Sequence, residues 1–437
     1  MTERISRRTQ NLPINLAILY LISTFVLFLC SAMVEKAENL ALLIFFVLIS
    51  YLLFYFGYRF GILTRKNKRY EFEPLPASRV KSMQWMVLLG AIYFATWSIN
   101  QIVDFSDGVG GLLDSILNPG AAYASKFDVY ERRIATGEVN RLTQILIIFS
   151  IFYACFIPAF VAYWNNIPNY LRRISVIATA MYGVSFLAIG TQKGIGDVVL
   201  FAFAGWSVLV ARDSAFFNKR SVKKILMRAA LLGLFLLTYM VIAQASRALE
   251  FGITSSLLVG DVSNTWLAKL VGNSLANGIY TAFSYPSHGY LGLSYNLDKN
   301  FVFSNGAGFA PAFESYRYQY LGGTQYSEYT YPMRTEVLTG WPAGMYWSTA
   351  FPWFASDLSF PGTTLLMFVA GFTFARVWIE CISKRNIFAL AMLGQVFIFI
   401  AFLPANNQVL MQRQSLWAVT TIGVLWLTKI FLRRRTW

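Results

Sequence analysis

Long apolar runs alternate with charged segments along most of the chain. A helix needs about 20 predominantly apolar residues to cross the hydrocarbon core of a bilayer. The pattern therefore predicts an all-α, polytopic membrane protein with about ten transmembrane helices. The predicted spans are 15–33, 40–57, 83–102, 142–164, 174–189, 195–210, 229–245, 361–378, 387–403 and 415–431.

Basic segments between or beside these runs alternate with acidic or mixed ones. The six basic segments are 4–8, 64–81, 172–173, 212–228, 384–385 and 429–435. Because lysine and arginine accumulate in cytoplasmic loops, these segments and both termini are predicted to be cytoplasmic. The net charge of +16 is then a signal of topology and of anionic lipid, and no nucleic-acid partner is expected.

Two of the segments predicted to lie outside are long, a smaller one at 104–141 and a larger one at 246–360. Within the larger one, the apolar residues of 261–280 fall near one helical face. This pattern predicts one amphipathic helix at the membrane interface. The rest of the larger segment is rich in glycine, proline, serine and aromatic residues, so we expect irregular structure there.

Composition supports the membrane assignment and narrows the chemistry. The chain is 56% hydrophobic and 13% charged, whereas soluble domains carry about 25% charged residues. The first apolar run lacks a small-residue cleavage site, so no cleavable signal peptide is predicted. With one histidine and no Cys-x-x-Cys motif, we expect no metal site and no other cofactor.

The spans argue against a coupled transporter. Transporters and pumps usually carry ionisable residues at membrane depth. Here Gln244 and Gln395 are the most polar side chains assigned well inside a span, and no inverted repeat with broken helices is apparent. The polar chemistry is predicted to lie at the outer surface, which favours an enzyme or a binding protein acting at the outer leaflet.

Two cations are predicted to lie outside, near the headgroups. Lys193 lies in GTQKGIGD between two short spans, where open backbone N–H groups beside a cation can form an anion site. Arg247 ends the seventh span at the same depth and could share that site. A snorkelling lysine and a simple interface anchor are the alternative roles.

The segment FESYRYQYLGGTQYSEYTYPMRTEVLTGW, residues 313–341, concentrates tyrosine and arginine. Arg317 and Arg334 can grip phosphate oxygens with two hydrogen bonds each, and tyrosine rings offer flat faces to sugars. The tyrosines assigned to sugar binding are Tyr316, Tyr318 and Tyr331. The alternative is a packed cap in which these arginines form salt bridges with Glu314, Glu328 and Glu336. Arg413, in the last outer loop, is a weaker candidate.

Four residues predicted to lie outside are candidates for a general base. His288, the single histidine, has an ordinary pKa of about 6.5 and can take a proton near neutrality. Glu314, Glu336 and Asp357 are rival bases. A lone loop histidine is often structural, and Asp357 could instead be a helix cap.

Several blocks of the outer loops resemble those of a known family. GYLGLS, NGAGFAPAF and WFASDLSFPG in the larger loop, with NPGAAY in the smaller one, are similar to the outer loops of O-antigen (Wzy-type) polymerases. Together with the many-span layout, the resemblance covers nearly the whole chain. It implies a GT-C-like glycosyltransferase of the bacterial inner membrane with a large periplasmic loop domain.

Such an enzyme would transfer a growing glycan from undecaprenyl pyrophosphate onto a new lipid-linked repeat unit, using no nucleotide sugar. A chain-length regulator protein is a candidate partner, besides membrane lipid. Some members carry Arg-x10-Gly motifs in two periplasmic loops. None of the outer arginines here has a glycine at that spacing, so no residue role is carried over from the family.

The resulting hypothesis assigns two roles to the outer residues. The donor pyrophosphate would be held by Lys193, Arg247, Arg317 and Arg334. The acceptor hydroxyl would be deprotonated or oriented by His288, and after it by Glu314 or Asp357. An O-antigen ligase that transfers glycan to lipid A-core and a polysaccharide flippase or exporter stay open as alternatives.

Overall fold

The computed structural model describes residues 5–64, 76–105, 108–212 and 219–435. Parts of the predicted basic segments, at 1–4, 65–75 and 213–218, lie outside the described residues, as do residues 106–107 of the smaller outer loop. The described chain is nearly all helical.

The α-helices are α1 (Arg7–Leu29), α2 (Leu40–Leu63), α3 (Ala77–Phe105), α4 (Gly108–Leu117), α5 (Pro119–Thr136), α6 (Arg141–Ile148), α7 (Ile151–Ala162), α8 (Asn169–Leu187), α9 (Lys193–Arg212), α10 (Lys219–Glu250), α11 (Trp266–Val271), α12 (Asn273–Ser284), α13 (Gly289–Leu297), α14 (Pro311–Leu321), α15 (Tyr331–Thr339), α16 (Phe351–Lys384), α17 (Ile387–Phe402), α18 (Gln408–Met411) and α19 (Arg413–Arg435). Short 3-10 helices lie at Ala32–Lys36, Trp164–Asn166, Val262–Asn264 and Tyr326–Tyr329. Within the described ranges the only strands are β1 (Ser255–Ser256) and β2 (Gly260–Asp261), an antiparallel pair in which Ser255 faces Asp261.

The apolar runs form helices, as predicted. Helix occupies each of the ten predicted runs, because a backbone in lipid must satisfy its own hydrogen bonds. Among the described residues five helices, α1, α2, α3, α9 and α16, are long and apolar enough to cross a membrane. The pair α6 and α7 makes a sixth if it is one span, although the two bend by 57°. A helical membrane protein is thus confirmed, while the count of about ten spans stays a prediction.

Polar caps begin several of these helices. The side chains of Ser6, Asn140 and Asn386 accept hydrogen bonds from backbone N–H groups in the first turns of α1, α6 and α17. Such caps satisfy donors that have no partner within the helix.

The chain divides into two compact units. The terminal unit comprises Met1–Arg79 and Tyr285–Trp437, and the central unit comprises Val80–Ser284. Both names refer to position in the sequence. Each unit is described by itself below.

In the terminal unit, α2 and α16 pack backbone against backbone. A Cβ atom at Gly57 would lie 2.0 Å from the carbonyl oxygen of Phe368, and one at Gly371 would lie 2.0 Å from that of Phe54. Both distances are far inside van der Waals contact, so only glycine fits at these two positions. Small residues that admit such close approach are a common basis of helix association in membranes.

The helix α13 is anchored to α1 and α2 of the terminal unit through Tyr290. The buried Tyr290 hydroxyl lies 2.6 Å from the Tyr51 hydroxyl on α2 and 2.9 Å from the Thr24 hydroxyl on α1. Its ring also packs against Phe25 and Phe28 of α1. The segment beginning at α13 is therefore fixed to α1 and α2 of its own unit.

Two sequence predictions about the larger outer loop are wrong. The predicted amphipathic helix at 261–280 is broken into α11 and α12 at Gly272, whose φ of 85° ends the first helix. The segment expected to be irregular contains α13, α14 and α15. Pro311 and Pro332 lie in the first turns of α14 and α15, where proline favours helix initiation.

The helix α16 begins before its predicted span. Its first part, which contains Asp357, ends at Ser359, where φ is 61° and ψ is 166°. Pro361 follows this break and cannot donate a backbone hydrogen bond to the preceding turn. The eighth predicted span, 361–378, corresponds to the part of α16 after the break.

We expect Gly57→Ala to destabilise the terminal unit, because the new methyl group meets the Phe368 backbone rather than a movable side chain. Overpacking of this kind typically costs about 1–3 kcal/mol. The measurement is the thermal unfolding midpoint of the purified protein in detergent.

Gly233→Ala on α10 is the matched control, since a Cβ atom there meets nothing within 4 Å and alanine favours helix over glycine. Equal midpoints for Gly57→Ala and Gly233→Ala would contradict the close packing of α2 and α16.

Candidate functional site

In the central unit, one turn brings together the two cations predicted near the headgroups. The turn joins α8 to α9, and Lys193 is the first residue of α9. Arg247, in the last turn of α10, donates a hydrogen bond from Nη2 to the carbonyl oxygen of Gly190 in this turn. Lys193 and Arg247 thus lie at one turn of the structure.

A tyrosine and a further lysine on α5 complete this group. The guanidinium of Arg247 lies 3.9 Å from the ring centre of Tyr123, and the Lys126 ammonium lies 4.6 Å from the same centre. The backbone N–H of Gly120 donates to the Ser246 hydroxyl at 2.9 Å, which fixes the start of α5 against the end of α10. We call Lys126, Gln192, Lys193 and Arg247, with Tyr123, the cation cluster.

Lys126 was not predicted from the sequence as a candidate site residue. The available signal was the spacing of Tyr123, Phe127 and Tyr130 around it, because residues three and four apart share a helix face. The Lys126 ammonium lies 5.0 Å from the Phe127 ring centre and 5.9 Å from that of Tyr130.

The cation cluster holds more positive charge than its protein neighbours balance. Burial and, to a smaller extent, the nearby charge of Arg247 together lower the pKa of Lys126 to about 8. Neither residue forms an ion pair with a carboxylate of the described residues. Nε of Arg247 and Nε2 of Gln192 are buried and have no hydrogen-bond partner among the described residues. Buried donors of this kind are costly unless an acceptor reaches them.

Lys193 differs from the other cations because it has a carboxylate partner. Its ammonium lies 2.5 Å from Oδ2 of Asp197, and the Tyr153 hydroxyl donates to the same oxygen at 2.7 Å. Asp197 is only 1% exposed and lies within the predicted span 195–210.

Two observations bear on the sequence argument against a transporter. Asp197 is an ionisable group buried among helices of the central unit, near the start of a predicted span rather than at its centre. The span predicted at 142–164 is bent at Phe149 and Ser150, whereas no broken helix had been expected.

In the terminal unit, Arg317 is fully engaged by its own segment. Its Nε and Nη2 donate to the two carboxylate oxygens of Glu314 at 2.6 and 2.7 Å. Nη1 donates to the Gly322 carbonyl at 2.9 Å, and Nη2 also donates to the Thr324 carbonyl. This favours the packed-cap alternative for Arg317 over phosphate binding.

Glu314 is held as an ionised acceptor. Burial opposes its charge, but the hydrogen bonds from Arg317 and from the backbone N–H of Tyr326 keep its pKa below the ordinary value. A carboxylate so engaged is a poor general base, because its proton affinity is low and its oxygens are already occupied.

Arg334 and Tyr331 form a second, partly committed pair. Nη2 of Arg334 donates to the Asn300 carbonyl at 2.8 Å, and its guanidinium lies 5.4 Å from the Tyr331 ring centre. Nη1 of Arg334 is buried without a hydrogen-bond partner. Tyr331 is 2% exposed and packs against Phe360, so its ring offers no open face to a sugar.

The open tyrosine faces lie on α14. Tyr318 and Tyr320 are exposed, and the rings of Tyr316 and Tyr320 stack with centres 6.0 Å apart. The Arg413 guanidinium lies 4.3 Å from the Tyr316 ring centre and donates to Gln319 at 2.8 Å. Tyr316 and Tyr318 therefore belong to a tyrosine surface, whereas the third predicted sugar-binding tyrosine is a core residue.

His288 is buried in an aromatic cluster. Its Nε2 accepts a hydrogen bond from the backbone N–H of Trp347 at 3.2 Å, and its ring stacks on the Trp347 ring. In neutral imidazole the proton then resides on Nδ1. The next residue, Gly289, permits this packing, since a Cβ atom there would lie 2.1 Å from the Pro404 carbonyl oxygen. To accept a proton, Nε2 must first release the Trp347 N–H.

Asp357 anchors a loop. Its Oδ1 accepts from the Ser304 hydroxyl at 2.7 Å and the Gly306 N–H at 2.8 Å, and its Oδ2 accepts from the Phe309 N–H at 2.7 Å. With both oxygens occupied, the carboxylate fixes the 304–309 loop to the first part of α16. This arrangement supports a structural role rather than that of a base. It is not the predicted helix cap, because Asp357 lies within α16 and accepts its hydrogen bonds from a loop.

Comparison of the chain with protein-family models, with curated proteins and with solved structures found no match.

We expect Asp357→Asn to loosen the 304–309 loop, since the new amide nitrogen cannot accept the hydrogen bonds that one carboxylate oxygen accepts now. A lost hydrogen bond to a charged group costs about 1.5–3 kcal/mol, so backbone amides of the loop should exchange at least about tenfold faster. The measurement is hydrogen exchange at Gly306 and Phe309.

Asp298→Asn, at an exposed carboxylate in the same unit, is the control and should leave the exchange of both amides unchanged. Unchanged exchange in Asp357→Asn would show that the carboxylate does not hold the loop.

Acid should open the segment that joins α14 to the 3-10 helix at Tyr326–Tyr329. The pKa of Glu314 is below its ordinary value of 4.5, so its stabilising contribution is complete above that value. It is lost as the pH falls through the lower pKa of the folded state. Exchange of the Tyr326 amide, corrected for the intrinsic rate, should rise only below pH 4.5.

Glu314→Gln should show faster Tyr326 exchange already at neutral pH, because the charged acceptor is gone. A pH profile of the native protein that rises above pH 5, or a variant that matches it at pH 7, would contradict this role of Glu314.

Proposed function

We propose that this protein is a GT-C-like membrane glycosyltransferase with about ten spans. It polymerises undecaprenyl-pyrophosphate-linked oligosaccharide repeat units into O-antigen or a related surface polysaccharide, at the periplasmic face of the bacterial inner membrane. The similarity of the NPGAAY, GYLGLS and WFASDLSFPG blocks to O-antigen polymerases supports the reaction class, and the helical membrane architecture is consistent with it.

The cation cluster carries the proposal. Lys126 and Arg247 lack carboxylate partners among the described residues, and the buried donors on Arg247 and Gln192 lack acceptors. A diphosphate supplies several strongly accepting oxygens and the negative charge that the cluster needs. The NPGAAY block forms the beginning of α5, which carries Tyr123 and Lys126, so the similarity and the cluster meet in one element.

The reaction is a displacement at the anomeric carbon of the donor sugar. The acceptor hydroxyl oxygen forms the new bond, the bond to the pyrophosphate oxygen breaks, and undecaprenyl pyrophosphate leaves with the electron pair. Negative charge grows on the leaving group, where prearranged cations stabilise it most. We assign this role to Arg247, Lys126 and Lys193.

In the terminal unit, fewer residues keep a functional role than the sequence suggested. Among the bases predicted for the acceptor hydroxyl, Glu314 and Asp357 are held by several donors. His288 is therefore the preferred candidate base within the terminal unit, after release of the Trp347 N–H. The exposed ring faces around Tyr318 are assigned to sugar residues, since aromatic faces stack on pyranose rings.

A second candidate function is a polysaccharide flippase or exporter. Two observations favour it, the 57° bend between α6 and α7 and the buried ion pair between Lys193 and Asp197. Broken helices and buried ionisable residues are features of transport proteins.

In a strain that lacks the gene, we expect the glycan ladder to collapse to core plus one repeat unit, and the native gene to restore it. Arg247→Ala and Lys126→Ala should restore little, because loss of one donor at a developing anion lowers rates by about 100- to 1000-fold. The measurement is the distribution of chain lengths on a gel, at matched amounts of protein in the membrane.

Lys269→Ala, at an exposed lysine of α11 in the same unit, is the control and should restore the full ladder. Loss of all capped core in the deletion strain would favour export or ligation over polymerisation. A full ladder with both Arg247→Ala and Lys126→Ala would exclude the cation cluster as the pyrophosphate site.

A further inference from the structure

The ion pair between Lys193 and Asp197 is unequal in its exposure. The Lys193 side chain is 25% exposed, whereas that of Asp197 is 1% exposed. Lysine carries its charge on a flexible four-carbon stem, so the ammonium can turn outward. The carboxylate cannot follow, because it lies on α9 beneath that surface and is held by the Tyr153 hydroxyl of α7.

The carboxylate is also satisfied on one side only. Oδ2 of Asp197 has both the Lys193 ammonium and the Tyr153 hydroxyl, whereas Oδ1 is buried without a hydrogen-bond partner. The Tyr182 hydroxyl on α8 is likewise buried without one, and it interacts electrostatically with Asp197. Among the described residues, the polar groups shown to face Asp197 are Lys193 on its own helix, Tyr153 on α7 and Tyr182 on α8.

A buried carboxylate that loses its cationic partner becomes an uncompensated charge, which is strongly destabilising. Proteins avoid this cost by neutralising the group with a proton. Oδ1 has no hydrogen-bond partner among the described residues, so it is the oxygen that would carry that proton.

We propose that Asp197 is a positioning residue for Lys193. It holds the Lys193 ammonium beside the cation cluster until a ligand binds. When a diphosphate binds, the ammonium moves to the diphosphate, and Asp197 takes up one proton from solvent. The inference rests on the proposed function, since it concerns the same anion site. One diphosphate and one proton therefore bind together. The Lys193 ammonium moves from a carboxylate oxygen to a phosphate oxygen. The only covalent bond that changes is the new O–H bond on Asp197.

A purely structural ion pair at the start of α9 makes a different prediction. If Lys193 stayed on Asp197 when the anion bound, no proton would be taken up at this position. The two cases differ in the number of protons bound per anion, and a loss of stability in a variant would not by itself change that number.

The experiment is calorimetric titration of the purified full-length protein in lipid nanodiscs with farnesyl diphosphate, at one pH in two buffers of different ionisation enthalpy. The native protein should take up about one proton more per diphosphate than Asp197→Asn does. Lys126, whose pKa is about 8, and the probe also titrate near neutral pH, so the proton counts of the two proteins are compared at the same pH in the same two buffers. Asp197→Asn should also bind the probe more tightly, because Lys193 is no longer shared.

Lys193→Gln provides a second test that does not alter the buried position. It removes the movable cation, so binding should weaken and the extra proton uptake should vanish. Glu250→Gln, at an exposed carboxylate on the end of α10, is the control and should keep the native proton count.

If native protein and Asp197→Asn bind the probe with equal proton uptake, the inference is overturned while the proposed anion site stands. If the native protein does not bind the probe, both the anion site and the inference fail. If Lys193→Gln retains the native proton uptake, Lys193 is not the cation that moves and the inference is likewise overturned.

Discussion

The free-energy cost of burying a charge without a partner determines which charged groups of this protein must pair with other protein groups and which need a ligand. In an apolar chain each buried or half-buried charge needs an opposite charge, a set of hydrogen bonds or a ligand. Glu314 and Asp357 meet this need with donors from their own unit. The cation cluster does not, since Lys126 and Arg247 find aromatic faces and one carbonyl oxygen but no carboxylate among the described residues.

This difference separates structural charges from candidate ligand-binding charges better than sequence position does. In the sequence, Arg317 and Arg247 were both assigned to the donor pyrophosphate, as arginines of segments predicted to lie outside. In the structure the guanidinium of Arg317 is saturated by Glu314 and two carbonyl groups, whereas Nε of Arg247 lacks a partner. When an anion binds, Arg247 therefore breaks no ion pair with a described carboxylate and gains an acceptor for its Nε.

Sequence predicted the helices well and the outer loops poorly, for physical reasons. Apolar runs must be helical in lipid, so each predicted run is occupied by helix. The break at Gly272 and the bend between α6 and α7 depend on single residues and on tertiary packing, which periodicity does not register. Lys193 was predicted because it lies between two short spans, and Arg247 because it ends the seventh span at the same depth. The burial of Asp197 depends on how α7, α8 and α9 pack, and the sequence alone does not specify that.

The central claim is that a lipid-linked diphosphate sugar is consumed by glycan transfer without any other energy source. It is tested most directly with the purified protein in nanodiscs, given undecaprenyl-pyrophosphate-linked repeat units and no nucleotide sugar, ATP or added metal. The account predicts a ladder of lengthened glycans with one undecaprenyl pyrophosphate released per bond formed. Intact repeat units after incubation with folded protein, alongside their movement across the bilayer in sealed vesicles, would contradict it and establish transport instead.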